Sequence, residues 1–477
     1  MQFSPIGFLI SAALLLLGYG MGAPLLVGLM GSLAFGATAL VTLHSLGGAS
    51  PLIYTFFVGL LLGTFVLRRH LWRDIGILFR HSHASWIVSV LLVYAVVGSV
   101  FFPRLFAGQT SVFVASRTQG GVFEVPLAPV SGNISQTGYL VIGGITFIAL
   151  CAILLRRRNF DALRVGFFVW CILHTGMGLM DFCAKLSGLG DVLGPIRTAS
   201  YAMLTSVDQA GFVRIVGAQP EASSFAALSL AALAFTFTYW RKTRSHLALA
   251  LSAALIFLLA LSTSSTAYIG LALLCLPVMF SMGCSLLGGR IDNQNALLLT
   301  AAMSCVLAIL ALAVIDPALF DPFIRLFNVA ILDKANSSSG QERSYWNYIS
   351  LKSFFDTVGL GVGLGSSRAS SWLIAVLSQL GALGAIAFLL LILILLTGGR
   401  RAERERNLQD AATIASVRAC ALAGLVSNSL ISGTADPGLL FFVSLAIVVT
   451  ADLQRSGFAR LQVPLAPSGA MVPPHPV

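Results

Sequence analysis

Apolar stretches long enough to cross a bilayer recur from one end of this chain to the other, and that recurrence restricts the fold more than any other feature. A crossing helix needs about 17–25 apolar residues to span roughly 30 Å of hydrocarbon. Candidate crossings lie near 5–20, 22–43, 51–67, 85–102, 137–155, 165–183, 222–240, 247–262, 266–284, 296–315, 371–397, 411–431 and 437–451. Composition agrees. Only 10% of the residues are charged and mean hydropathy is +0.90, whereas soluble domains carry about 25% charged residues. Lipid must be the solvent for most of the chain. The expected fold is an all-α, polytopic transmembrane helical bundle of about 12–13 spans, with a large outer-face loop carrying short amphipathic helices.

The net charge of +11 first suggests nucleic acid. The cations, however, lie in short runs between apolar segments: Arg68–Arg69, Arg156–Arg157–Arg158, Arg241–Lys242–Arg244 and Arg400–Arg401–Arg404–Arg406. That is the positive-inside pattern of cytoplasmic loops. No basic stripe remains for a nucleic acid partner. Assigning 68–84, 156–164, 241–246, 285–295, 398–410 and the tail from Ala451 to the inside places 18 of the 29 Lys and Arg there. Arg418 lies within a span and is expected to snorkel to the inner edge. Parity then puts the N-terminus out and the C-terminus in.

Long loops 103–136, 184–221 and 316–370 fall on the outside, so the working surface is expected there. The chain divides into an N-terminal membrane region (1–210), a core (211–395), C-terminal membrane helices (396–452) and a cytoplasmic tail (453–477) read as disordered. The first span is read as retained, because the N-terminus has no basic n-region. The seven cysteines form no CxxC pair and read as small hydrophobes in helices. No Walker loop or metal motif appears in the sequence, so neither a metal nor a cofactor is expected, and energy for a reaction must come with the substrate.

Candidate chemistry concentrates in the outer loops. Asp316–Lys334 has the spacing of an amphipathic interfacial helix. Ser339 with Glu342 forms a capping-box pattern that would start a second helix. On it Arg343, Asn347 and Ser350 share one polar face. Gly359, Gly361, Gly363 and Gly365 alternate after it, followed by Ser366, Ser367 and Arg368. Alternating glycine permits close backbone approach, and the N-terminus of the next helix favours an anion. Arg214 and Glu221 flank a turn before another membrane helix, with Arg197 upstream. Arginines on the outer face oppose the usual charge bias and need partners. Lipid headgroups or protein carboxylates satisfy single arginines; for Arg214 and Arg343 together a pyrophosphate is the better match. His174 and Asp181, seven positions apart, share one helix face and suggest structural hydrogen bonds between helices.

These residues carry a resemblance to the family of O-antigen ligases and O-antigen or exopolysaccharide polymerases. The chain is similar to that family in the turn with Arg214, Gly217, Pro220 and Glu221, and in the small-polar segment Leu261–Ala267. It is similar again in Gly340, Arg343 and Trp346, in Gly361, Gly363 and Gly365, and in Gly381 and Gly384. The likeness covers roughly 211–395 and is most specific over 337–385. Two positions depart from the ligases: Ser265 stands where they carry arginine, and Ser370–Ser371 where they carry His-Asn. Both departures argue against a ligase that transfers glycan to lipid A core, and the segments Arg343–Trp346 and Gly365–Ser371 more resemble exopolysaccharide polymerases.

The resemblance implies a metal-independent membrane glycosyltransferase using undecaprenyl-pyrophosphate-linked oligosaccharides at the periplasmic face of a bacterial inner membrane. It implies membrane lipids, and a chain-length regulator or flippase, as partners. Arg214 and Arg343 would hold the pyrophosphate, supported by Arg368 and Arg197. Glu221 would serve as base, with Glu342 second. Two other readings stay open on sequence: a ligase transferring finished glycan to a lipid or protein, and a flippase or permease.

Overall fold

The computed structural model describes residues 2–43, 49–116, 121–156, 160–200, 203–205, 208–209, 212–288, 293–315, 321, 324–325, 328 and 337–455. The chain is an all-α polytopic membrane protein. Its helices are α1 (Pro5–Gly20), α2 (Pro24–Ser32), α3 (Tyr54–Val66), α4 (Leu71–His81), α5 (His83–Leu105), α6 (Ser131–Arg156), α7 (Phe160–Leu186) and α8 (Ala222–Thr243). They continue with α9 (His246–Leu261), α10 (Ser265–Leu287), α11 (Asn293–Ile315), α12 (Ser338–Asp356), α13 (Trp372–Thr397), α14 (Arg400–Glu405), α15 (Leu408–Ile431) and α16 (Leu439–Arg455). Among the described residues, strands occur only as short antiparallel pairs: β1 (Gln2–Phe3) with β2 (Val41–Thr42), β3 (Ser111–Ser116) with β4 (Gly121–Pro126), and β5 (Asp208–Gln209) with β6 (Phe212–Val213).

Among the described residues eight helices are long and apolar enough to cross a membrane: α5, α6, α7, α8, α10, α11, α13 and α15. Helices α1, α3 and α9 are shorter apolar helices. The expected span over 22–43 is corrected. Only nine of its residues are helical, as α2, and irregular backbone carries the chain onward. Buried non-helical backbone survives where other protein segments satisfy it. Here it does: Ala37 N–H donates to Ala218 O at 3.0 Å, Thr38 Oγ1 to Ile196 O at 2.7 Å, and the Gln219 amide to Ala34 O at 3.0 Å.

Packing explains which helices sit centrally. On α16, 14 of 17 residues are buried, so its all-round apolar sequence is that of a central element. It packs on α6, and α8 packs along α15. Small residues line both buried faces, Ala226, Ser229 and Ala232 on α8 and Ala412, Ala415 and Ser416 on α15, which lets the two backbones approach closely. Helix α10 fully buries only Thr266, Ala267 and Gly270, with Leu271 and Leu274 packed partly against the core, so much of its apolar surface is left for lipid.

Several of the described basic residues used for orientation are paired with neighbouring groups at one end of the bundle. Arg418 bonds Gly398 O and Glu403, Lys242 also meets Glu403, Arg164 meets Asp161 and Gln409, and Arg455 meets Glu405. The opposite end holds the start of α6, α8, α10 and α13, the hairpin β3–β4 and helix α12. The expected interfacial helix over 316–334 and the tail beyond Arg455 fall outside the described residues, apart from a few isolated positions in the former.

Candidate functional site

Helix α12 starts at Ser337, whose hydroxyl accepts from Gly340 N–H at 3.1 Å. The expected capping box of Ser339 and Glu342 is therefore corrected: the cap lies two residues earlier, and Glu342 is exposed beyond the first turn. The polar face does form. Asn347 Oδ1 accepts from Ser370 N–H at 2.7 Å and Ser350 Oγ donates to Arg368 O at 3.4 Å, so two of its members hold the loop that carries Arg368. Arg343, one turn before Asn347, is left half-buried above that loop.

The glycine segment 359–365 is a wedge pushed into the end of the bundle. At Gly365, φ is +81° and a Cβ would stand 2.2 Å from Gly132 O on α6, so only glycine fits. Its partner is a break in α13 at Gly381, where φ is +62°. The two irregular backbones satisfy each other: Val362 N–H donates to Ser378 O at 2.8 Å and Ala382 N–H to Gly359 O at 2.8 Å. Gly365 N–H donates to Gln379 Oε1 and Gly361 N–H to Thr357 Oγ1. These loop N–H groups are spent on protein, so the close approach that the glycines permit is to the broken helix α13 and its neighbours. What the wedge does is set Arg368 in place. Arg368 N–H donates to Phe113 O on β3 at 2.8 Å, and its guanidinium lies over Trp346 at 5.8 Å from the ring centroid.

The Arg214 turn is held differently, by buried charge. Asp181 Oδ2 accepts from Lys185 Nζ at 3.0 Å, Val216 N–H at 2.8 Å and Gly217 N–H at 3.0 Å. Lys185 also donates to Arg214 O at 2.7 Å. Arg197 bonds Gly217 O and both oxygens of Asp191, lies 3.7 Å from Asp181, and its side chain is 2% exposed. The expectation that Arg197 touches pyrophosphate is corrected: its guanidinium is consumed by this network and has no open face. His174, the other polar residue of that helix face, bonds Ser229 at 2.8 Å and stacks on Phe225.

Arg214, Glu221, Arg343 and Arg368 converge. The charges of Glu221 and Arg343 bear on both Arg214 and Arg368. Both guanidiniums are pushed below the ordinary arginine value, first by loss of water, with Arg343's like charge adding and Glu221 opposing. Arg368 keeps solvent-accessible surface, so its desolvation is partial and it stays charged. Among the described residues none of the three arginines forms an ion pair, and Arg214 Nε is buried without a hydrogen-bond partner. Glu221 precedes the first residue of α8 and accepts from Ser223 Oγ. Arg214 and Arg368 thus each feel the charges of one carboxylate, Glu221, and of a third guanidinium, Arg343, a local excess of positive charge.

No family model and no curated protein matches this chain. The functional reading therefore rests on the residues and their placement.

Two residues went unnoticed in the sequence. Tyr268, one turn into α10, stands beside Arg214 and its hydroxyl donates to Ala260 O at 3.0 Å. The signal was available, since it closes the small-polar segment Leu261–Ala267. Asp436 lies between α15 and α16 at the rim of a largely apolar cavity of about 310 Å³, which also takes in Gln219, Ser224 and Asn428. Burial raises its carboxyl to about 6, and the Gly438 N–H bond at 2.9 Å opposes the shift. An acidic residue just before the last membrane helix could have marked it.

Proposed function

We propose that this protein is a polysaccharide repeat-unit polymerase, a membrane glycosyltransferase that takes glycan from an undecaprenyl-pyrophosphate donor. The observation that carries this is that Arg214 and Arg368 both feel the charges of Arg343 and Glu221, while none of the three arginines is ion-paired among the described residues. A diphosphate leaving group gains negative charge as its bond to the sugar breaks, and preplaced guanidiniums stabilise that charge most in the transition state. In the proposed step the hydroxyl oxygen of a second lipid-linked repeat unit attacks the anomeric carbon. The bond from that carbon to the phosphate oxygen breaks, and the electron pair leaves with the diphosphate. The hydroxyl proton passes to Glu221, whose position among the arginines also makes it their counter-ion. Glu342 is exposed at the start of α12, which favours Glu221 over it.

Both substrates are lipid-anchored, so they reach the end of the bundle laterally through the bilayer. In this proposal the arginine end faces the periplasm of a bacterial inner membrane, because the larger set of basic residues lies at the other end. A chain-length regulator or flippase would work beside it. The test is replacement of Arg343 and Arg214 by alanine, with membrane expression confirmed. Unchanged polymer yield and length would remove both from the site. Loss of the gene distinguishes the related activities: single-repeat material accumulates for a polymerase, intact unattached polymer for a ligase.

A further inference from the structure

A cleft of about 320 Å³ opens beside Arg368. Its walls come from three places: strand β3 with Phe113 and Val114, the first turns of α6 with Ser131 and Gln136, and the loops carrying Ser367, Arg368 and Thr434. The size falls at the lower end of small-molecule sites, which run roughly 300–1,000 Å³. One or two sugar rings fit such a volume. The walls are fixed in advance. Asn133 Nδ2 donates to Leu364 O at 2.8 Å and to Ser366 Oγ at 2.7 Å, tying α6 to the glycine wedge. Arg368 N–H ties the wedge to β3, and Gln379 Nε2 donates to Gly433 O at 3.2 Å, tying α13 to the last loop. Rigid walls spare a ligand the entropy of ordering its site.

The lining chemistry is specific. It offers hydroxyls, one primary amide, one guanidinium and an aromatic-aliphatic wall, and no carboxylate. Ser131 Oγ, the Gln136 amide and Thr434 Oγ1 make no hydrogen bond to protein among the described residues, although each lines the cleft. Unspent neutral donors and acceptors beside an apolar wall match a sugar ring, which has hydroxyls at its rim and C–H groups on its faces. Arg368 belongs to this cleft and to the arginine cluster at once.

We propose that this cleft binds the uncharged sugar joined directly to the diphosphate, with Gln136, Thr434 and Ser131 bonding its hydroxyls and Phe113 lying against its face. The assignment deepens the polymerase reading and rests on it for the identity of the attached anion. The sugar site itself is testable without that anion. The full chain in detergent is probed by saturation-transfer NMR with phosphate-free methyl glycosides of neutral hexoses and N-acetylhexosamines. At least one should bind the native chain, bind Gln136→Leu and Thr434→Val at least tenfold more weakly, and bind Arg343→Ala as before. Gln136 and Thr434 are only half-buried, and thermal unfolding checks that both variants remain folded. Absence of binding by every glycoside, or equal binding to the native chain and both folded cleft variants, would overturn the sugar site. Failure of the polymerase reading appears separately, as unchanged polymerisation by Arg343→Ala.

Discussion

Two groups of arginines stand at the same end of this bundle and have opposite fates. Arg197 is closed: Asp191, Asp181 and a backbone carbonyl take up its guanidinium, and Lys185 shares Asp181. Arg214, Arg343 and Arg368 are open: Glu221's charge bears on Arg214 and Arg368, and none of the three forms an ion pair among the described residues. The closed group lies directly beneath the open one, because Asp181 and Lys185 grip the backbone of Arg214 and the two residues after Ile215. Buried charges that satisfy one another make a rigid footing, whereas charges left unsatisfied are available to a ligand. The comparison separates arginines that support a site from arginines that form one.

The sharpest way to break this contrast is at Asp181. Asp181→Ala strands Lys185 and the Val216 and Gly217 N–H groups in a buried setting, although Arg197 keeps Asp191, and removing one partner of such a network costs roughly 3–5 kcal/mol. The expected result is loss of folded protein, measured by thermal unfolding and by the amount recovered in membranes. Normal yield and melting would show that the network is not the footing. Arg343→Ala comes next and should behave oppositely. Removing one preplaced donor to a developing oxyanion lowers rate by about 10²–10³-fold. Because Arg343 is half-buried and unpaired, its melting temperature should stay within a degree or two, roughly the scatter expected of surface substitutions. A variant that melts early would move Arg343 into the supporting class.

Gly365→Ala tests whether the open cluster depends on the wedge. A methyl group 2.2 Å from Gly132 O must push the loop away from α6, at a cost of about 1–3 kcal/mol in strain. Activity should fall along with stability, since Arg368 rides on that loop; full activity would uncouple them. The smallest effect concerns Asp436. Its carboxyl titrates at about 6 in the folded chain against an ordinary 3.8, so the native state holds its proton longer than the unfolded state. Stability contributed at this site is therefore greatest below pH 4, falls as pH rises from about 4 to 6, and is flat above. Asp436→Asn should remove that portion of the slope. Identical pH profiles for native and variant melting would show that burial does not perturb this group.

Much of the fold was legible because hydropathy is a local quantity. Every expected span except 22–43 coincides with a helix of the structure. The exception arose because an apolar run need not be helical where neighbouring segments satisfy its backbone. The register of Arg343, Asn347 and Ser350 was equally legible, since helical periodicity alone places them on one face. The role of the alternating glycines was only half legible. Sequence gives the freedom to approach closely, but not whether the thing approached is a phosphate or the broken helix α13. Arg197 was misplaced for a related reason. Its partner Asp191 lies only six residues away, yet Gly217 O and Asp181, which complete its surroundings, come from a turn and a helix whose approach composition does not encode.

Composition and periodicity by themselves determined a membrane-embedded helical bundle, the accumulation of basic residues at one end, and a polar helix face bearing an arginine. Only the tertiary structure decided which arginines are neutralised and which are left in surplus. The physical reason is that helix formation in lipid depends on residues within a few turns of one another. Charge neutralisation depends instead on whichever distant side chain the packed bundle brings within reach.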